Sequence, residues 1–426
     1  MFVLICLYLL MIIVRPQDFM PMLTGIPIMP ALMVLALLSW MLSPRKNLDA
    51  PQYLLLTLFV LVTSASILAT GWVGGARQQL FDFAPVLVAF VVLANALDSE
   101  RRIRIVMMLL VLCGTLLAWH GMYQLSHGGI GWTGAALSED RRIQYVGIFH
   151  DPNDLGLLFV MVLPMALYLM RRHGAHFLGR ILWLGCACLL VYGVYLTKSR
   201  GAMLAMAAMF GIFVWRKRGA LLAVVLGVFA LGVLRVVSPR MNELNPDESS
   251  AFGRVDAWYE GLHMFMSHPL LGVGTNNFTD YNNLTAHNSF VLVMAETGFV
   301  GYVLWLAFVC YGLWMALSLV RFQPDAEWLS SDEQAPLRWQ QMHALGMTML
   351  LAQTGFMAAA FFLSRSYVPI LYFLEAMVLA TYVCARTQVP GLPHFELRRD
   401  LIRWPVLAAA SIVALYVLVR LLFAVS

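Results

Sequence analysis

Charge is what this chain has least of. Aspartate, glutamate, lysine and arginine together make up 12% of its 426 residues against 61% hydrophobic, a balance that excludes a soluble globular domain. The apolar stretches also lack alternation, so they exclude a barrel of half-polar strands and leave membrane-spanning helices, the remaining way to satisfy backbone in lipid. Cysteine is scarce. The six present (Cys6, Cys113, Cys186, Cys188, Cys310, Cys384) all fall inside apolar runs, with neither a disulfide framework nor zinc spacing, and pack there as small hydrophobes. A formal charge of only +5 implies no nucleic-acid partner, since the surplus is the arginine that orients a membrane protein.

What is there is a succession of apolar runs near the length that crosses a bilayer. They lie at 2–14, 26–42, 52–71, 81–97, 103–123, 155–170, 181–197, 201–215, 219–238, 289–320, 342–363, 368–384 and 404–424. One of these thirteen is a candidate for a re-entrant or interfacial segment, so the expectation is an all-α polytopic protein with twelve or thirteen spans and a single transmembrane domain over 1–426. The first run has no basic leader and no small-residue cleavage site, and reads as an uncleaved span.

With a cytoplasmic N-terminus, Arg45 and Lys46, Arg101 to Arg104, Arg171 to Arg180, Arg216 to Arg218, Arg321 to Arg338 and Arg386 to Arg403 all fall inside. A smaller loop, 124–154, and a larger one, 239–288, then face the periplasm of a bacterial inner membrane. Cations remain on that outer side against the topology bias: Arg141, Arg142, Lys198, Arg200, Arg240 and Arg254, with single arginines Arg15, Arg77 and Arg365 in short turns. They need another reason to be there.

Arg200 follows Ser199, a good N-cap, and so enters the first turn of a helix whose dipole repels it by about 0.3 to 1 kcal/mol. An anion at that N-terminus makes sense of it. Arg254 opens a second apolar stripe of Val255, Trp258, Leu262, Phe265 and Met266, which suits an amphipathic helix lying on the membrane, and the spacing predicts Arg254 in its first turn. Any one such arginine alone is more commonly a snorkelling or headgroup-binding residue; together with Arg141 and Arg142 they point to a phosphate site. His287 follows Thr285, a plausible N-cap, and the dipole at such a helix start lowers an imidazole pKa. A neutral imidazole beside phosphate ligands suits a general base, though the same placement fits a histidine that merely caps the helix.

Other polar residues are weaker signals. His263 and His268 have no comparable placement. Asp151 and Asp154 sit in a Pro-Asn turn with an expected N-cap at Asn153 or Asp154, and read as structural carboxylates rather than metal ligands. Glu375, inside an apolar run, is either a functional carboxylate or one paired with a neighbouring helix.

Several of these pieces occur together in one family. Ser199-Arg200-Gly201-Ala202, Gly253-Arg254 through Trp258, Gly261, Phe265, His268-Pro269-Leu270-Leu271-Gly272-Val273-Gly274, Asn277-Phe278, and His287-Asn288 followed by nine residues, Gly298, two residues and Gly301 resemble the bacterial O-antigen ligases and their polymerase and O-linked oligosaccharyltransferase relatives. The resemblance implies a glycosyltransferase with an undecaprenyl-pyrophosphate-linked glycan as donor, His287 as base, and Arg200 and Arg254 on the pyrophosphate. Arg141 and Arg142 would assist them, with Asn288, Ser199 and Lys198 in support. It implies no cofactor and no metal, and membrane lipids as surroundings.

One dominant outer loop, and a chain that stops at Ser426 after its last span, favour a ligase with lipid A-core as acceptor over a polymerase or a protein-glycosylating relative. A transporter would show inverted repeats and several charged, broken helices, and no clear repeat is present.

Overall fold

The computed structural model of the chain describes residues 1–44, 46–172, 174, 176–237 and 249–425. Arg45, Arg240 and the stretch 238–248 of the larger loop lie outside the described residues. All thirteen apolar runs are helices, joined by one amphipathic helix: α1 (Phe2–Val14), α2 (Ile28–Met41), α3 (Pro51–Ala69), α4 (Val73–Ala96), α5 (Glu100–Ser126), α6 (Pro152–Arg171), α7 (Phe177–Thr197), α8 (Arg200–Arg218), α9 (Ala220–Val237), α10 (Ser249–Ser267), α11 (Ser289–Arg321), α12 (Ala335–Ala360), α13 (Pro369–Gln388) and α14 (Arg403–Val425). Among the described residues the only β structure is two isolated bridges in the loop after α5. Among the described residues, eight helices are long and apolar enough to cross a membrane.

The centre of the bundle is α6, α11, α12 and α13, where most side chains are buried. Glu375 lies here and accepts a hydrogen bond from Gln353 Nε2 on α12 at 2.6 Å, which is the helix-pairing alternative for this carboxylate. By contrast α9 and α14 are apolar and largely exposed, as lipid-facing helices are. The amphipathic helix departs from expectation. Its stripe does not lie wholly on lipid: Trp258 and Leu262 are buried against the protein, the Trp258 ring meets Phe361 at 5.5 Å, and only Met266 remains openly exposed. Gly261 permits this, since a Cβ there would overlap Val291 of α11.

The long helix α11 is broken at Gly298, which takes φ 64° and ψ −164°. A break in a membrane helix strands backbone groups that lipid cannot satisfy, and the segment His268–Gly274 meets them. Val273 N–H donates to Ala295 O at 3.0 Å and Gly274 N–H to Glu296 O at 3.1 Å. In the other direction Phe299 N–H donates to Pro269 O at 2.8 Å and Val300 N–H to Leu270 O at 3.3 Å. The two glycine-bearing motifs are therefore one backbone clamp.

A side chain at Gly298 would need a conformation reserved for glycine and would collide with the Leu270 carbonyl. Gly298→Ala is accordingly expected to destabilise the protein by about 3 kcal/mol or more. Gly211→Ala, in open space on α8, should be neutral or slightly stabilising. Thermal midpoints in one detergent test the pair, and equal midpoints would show that the clamp contributes nothing.

Candidate functional site at one end of the bundle

The turn between α7 and α8 is built as its residues dictate. Lys198 takes the left-handed conformation (φ 47°), Ser199 Oγ accepts the Ala202 N–H, and Arg200 is the first helical residue, as expected from its sequence. The smaller loop is fastened to this corner. Arg142 donates from Nε to the Thr197 carbonyl at 2.9 Å and from its other prong to Asn153 Oδ1 at 3.0 Å, while Lys198 Nζ donates to the Asp140 carbonyl at 2.6 Å. Arg141 is different: its side chain is exposed, and no contact among the described residues draws it into the cluster.

Three expectations are corrected here. Asp151, not Asn153 or Asp154, caps α6, accepting the Asn153 N–H with Pro152 at the first helical position. Arg254 is the sixth residue of α10 rather than a first-turn residue, so its helix dipole does not account for it. His287 lies outside α11 altogether: Asn288 caps that helix by accepting the N–H groups of Phe290 and Val291, and Thr285 donates instead to Ser364 Oγ at 2.9 Å.

His287 has a left-handed backbone, φ 47°, unusual for a residue with a side chain. Its imidazole is half-buried, and its pKa is still lowered, but by burial first and then by the Arg254 and Arg365 guanidiniums, with Asp151 opposing. The neutral form follows from tertiary neighbours.

The same electrostatic neighbourhood reaches Arg254. Burial, Arg200 and Arg142 each disfavour its charge, and Asp151 is the partner that favours it. Residues from the smaller loop, the α7–α8 turn, α10 and the start of α11 thus converge at one end of the bundle. Among the described residues, Arg142, Arg200, Arg254 and Arg365 gather with two carboxylates, Asp151 and Asp154, a set of donors that suits an anion.

Arg365 is the residue that sequence reasoning passed over. It sits in the α12–α13 hairpin and spans two carboxylates, with NH2 3.1 Å from Asp151 Oδ2 and Nε paired with Asp154. Both aspartates are thereby engaged by a cation. Among the described residues no three His, Cys, Asp or Glu side chains gather as metal ligands. The signal available was the one that singled out Arg200: an arginine in a short turn between two apolar runs, on the side where the charge bias expects none.

Comparison with known proteins divides the chain. Residues 1–174, which include Arg142, Asp151 and Asp154, match a family of unknown function. Residues 184–306 match the O-antigen ligase family, and that segment holds Arg200, Arg254, His287 and both halves of the backbone clamp. No curated protein matches the chain. With eight long apolar helices among the described residues the chain is a multi-pass membrane protein, and its segment 184–306 is similar to the O-antigen ligase family.

Proposed function

We propose that this enzyme transfers an O-antigen polysaccharide from undecaprenyl pyrophosphate to a sugar hydroxyl of lipid A-core, at the periplasmic face of the inner membrane. The observation that carries the reading is the placing of a half-buried imidazole, its pKa lowered, beside a cluster of arginines. The basic clusters at the other ends of the helices, Arg101 to Arg104 and Arg216 to Arg218 among them, favour a cytoplasmic location for that side.

In this reaction the leaving group is already activated, so no general acid is required. His287 takes the proton from the acceptor hydroxyl as its oxygen bonds to the anomeric carbon. The carbon–oxygen bond to pyrophosphate breaks, and the electron pair leaves on the pyrophosphate, whose growing charge Arg200 and Arg254 stabilise with Arg142 beside them. In-line displacement inverts the anomeric centre. Arg141 has the weaker claim of the four because its side chain is exposed.

Purified protein given a polyprenyl pyrophosphate glycan should glycosylate lipid A-core. Lengthening of the lipid-linked glycan instead would make the enzyme a polymerase, and no transfer to either would sink the glycosyltransferase reading. The same assay addresses charge stabilisation. Since arginine supplies it, transfer should survive EDTA, and Asp151→Asn should be milder than Arg200→Ala. Activity that vanished with chelator and returned with magnesium or manganese would transfer that role to the carboxylates.

A further inference from the structure

The strained backbone at His287, just before α11, is flanked by residues held from elsewhere in the fold. The residues flanking it are bonded to the α12–α13 hairpin, Phe361–Val368: Thr285 Oγ1 to Ser364 Oγ at 2.9 Å, Ser289 Oγ to the Leu363 carbonyl at 2.7 Å, Ser366 Oγ to the Ser289 carbonyl at 2.9 Å, and Arg365 N–H to Ser289 Oγ at 2.9 Å. The hairpin is secured in turn. Tyr372 donates to the Ser366 carbonyl at 2.7 Å, and the Arg365 side chain bridges to Asp151 and Asp154 at the start of α6.

We propose that Arg365 is a positioning residue for His287, its guanidinium tying the hairpin to Asp151 and Asp154 so that the hairpin presents the imidazole to the acceptor hydroxyl. The proposal rests on the reading of His287 as base. A planar fork suits this bridging role because it meets two carboxylates with separate prongs, whereas a lysine ammonium offers only a point charge. Among the described residues Arg365 is ion-paired to both carboxylates, whereas Asp151 reaches Arg254 only as a more distant charge, and this separates positioning from donor binding.

The tie carries a signature that a purely mechanical fastening lacks. The charged groups reaching His287 are Arg254 from α10, Arg365 from the hairpin and Asp151 from the start of α6. Removing the Arg365 cation makes the imidazole easier to protonate, so the midpoint of the pH–rate profile moves up. Removing the Asp151 anion moves it down. Asparagine at 151 keeps a good N-cap, so that variant changes charge with the least disturbance of α6.

The test uses the full chain in lipid nanodiscs with a polyprenyl pyrophosphate glycan and lipid A-core, measuring donor Kd and single-turnover transfer from pH 5 to 9. Arg365→Lys should lose about 10-fold in turnover, with donor Kd within about 3-fold of the parent and the midpoint unmoved. Arg365→Gln should lose about 100-fold with its midpoint raised, and Asp151→Asn should lose less with its midpoint lowered. Donor Kd weakened in Arg365→Lys would make the residue a pyrophosphate ligand and overturn the proposal. Unmoved midpoints in both charge-removing variants, or full activity in Arg365→Lys, would overturn it too. Should Arg365→Gln fail to insert, Arg365→Lys and Asp151→Asn decide the matter alone. Turnover retained by His287→Ala would instead sink the base assignment, and the proposal with it.

Discussion

His287→Ala should lower single-turnover transfer by about 100-fold to 10,000-fold, the usual worth of a positioned acid–base group. Donor binding should stay close to that of the parent protein, because in the proposed mechanism the arginines hold the pyrophosphate. In the parent, transfer should rise with pH through an imidazole pKa below the ordinary 6.5, then level off. The sign follows from the neighbours: burial, Arg254 and Arg365 all disfavour the charged ring and outweigh Asp151, so the proton leaves at lower pH than usual. No falling alkaline limb is expected, as the leaving group needs no acid. Donor binding and single-turnover transfer on one purified His287→Ala sample discriminate the roles. Lost binding would recast the histidine as a phosphate ligand, and retained turnover would reduce it to a backbone element before α11.

Arg200→Lys and Arg254→Lys should each lose about 100-fold in transfer, comparable to deleting one preorganised donor at a developing charge, while inserting and purifying normally. For Arg254 the physical case is specific. Its charge is disfavoured by burial and by two other guanidiniums, with Asp151 opposing them, so the site stores repulsion that an anionic ligand relieves. A lysine keeps the charge but loses the fork that grips a pyrophosphate. The measurement is donor Kd beside transfer rate: both should worsen together, in contrast to His287→Ala. Full activity in both lysine variants would indicate that diffuse positive charge suffices and that the guanidinium geometry is irrelevant.

The origin of His287's neutrality illustrates how local reasoning reaches a correct direction by an incorrect route. A histidine near a helix start should be depressed by the dipole, and the imidazole is depressed, yet the helix begins two residues later at Ser289. Which residue caps a helix depends on backbone angles, and the left-handed turn at His287 lies between residues bonded to the hairpin at Ser364 and Ser366, far along the chain. Arg254 shows the same limit. Its apolar stripe set the helical phase, but the helix starts at Ser249, and what makes this arginine unusual is its burial and then the charges of Arg200 and Arg142.

What the amino-acid order determined by itself was everything governed by near neighbours and by composition. Continuous apolar runs must satisfy their own backbone in lipid, so thirteen of them are helices whatever lies beside them. Ser199 caps α8 because its hydroxyl needs only the N–H of Ala202. The spacing from His287 to Gly298 and Gly301 was likewise visible, but not its reason. Tertiary structure alone decided that Gly298 breaks α11 and that the groups freed there bond to Pro269, Leu270, Val273 and Gly274, since a backbone partner has no side-chain signature to read. It alone decided that Arg365 meets Asp154, a residue 211 positions away. Ion pairs depend on which helix ends are brought together by packing, and the apolar pattern that drives packing specifies which face is buried, not which neighbour buries it.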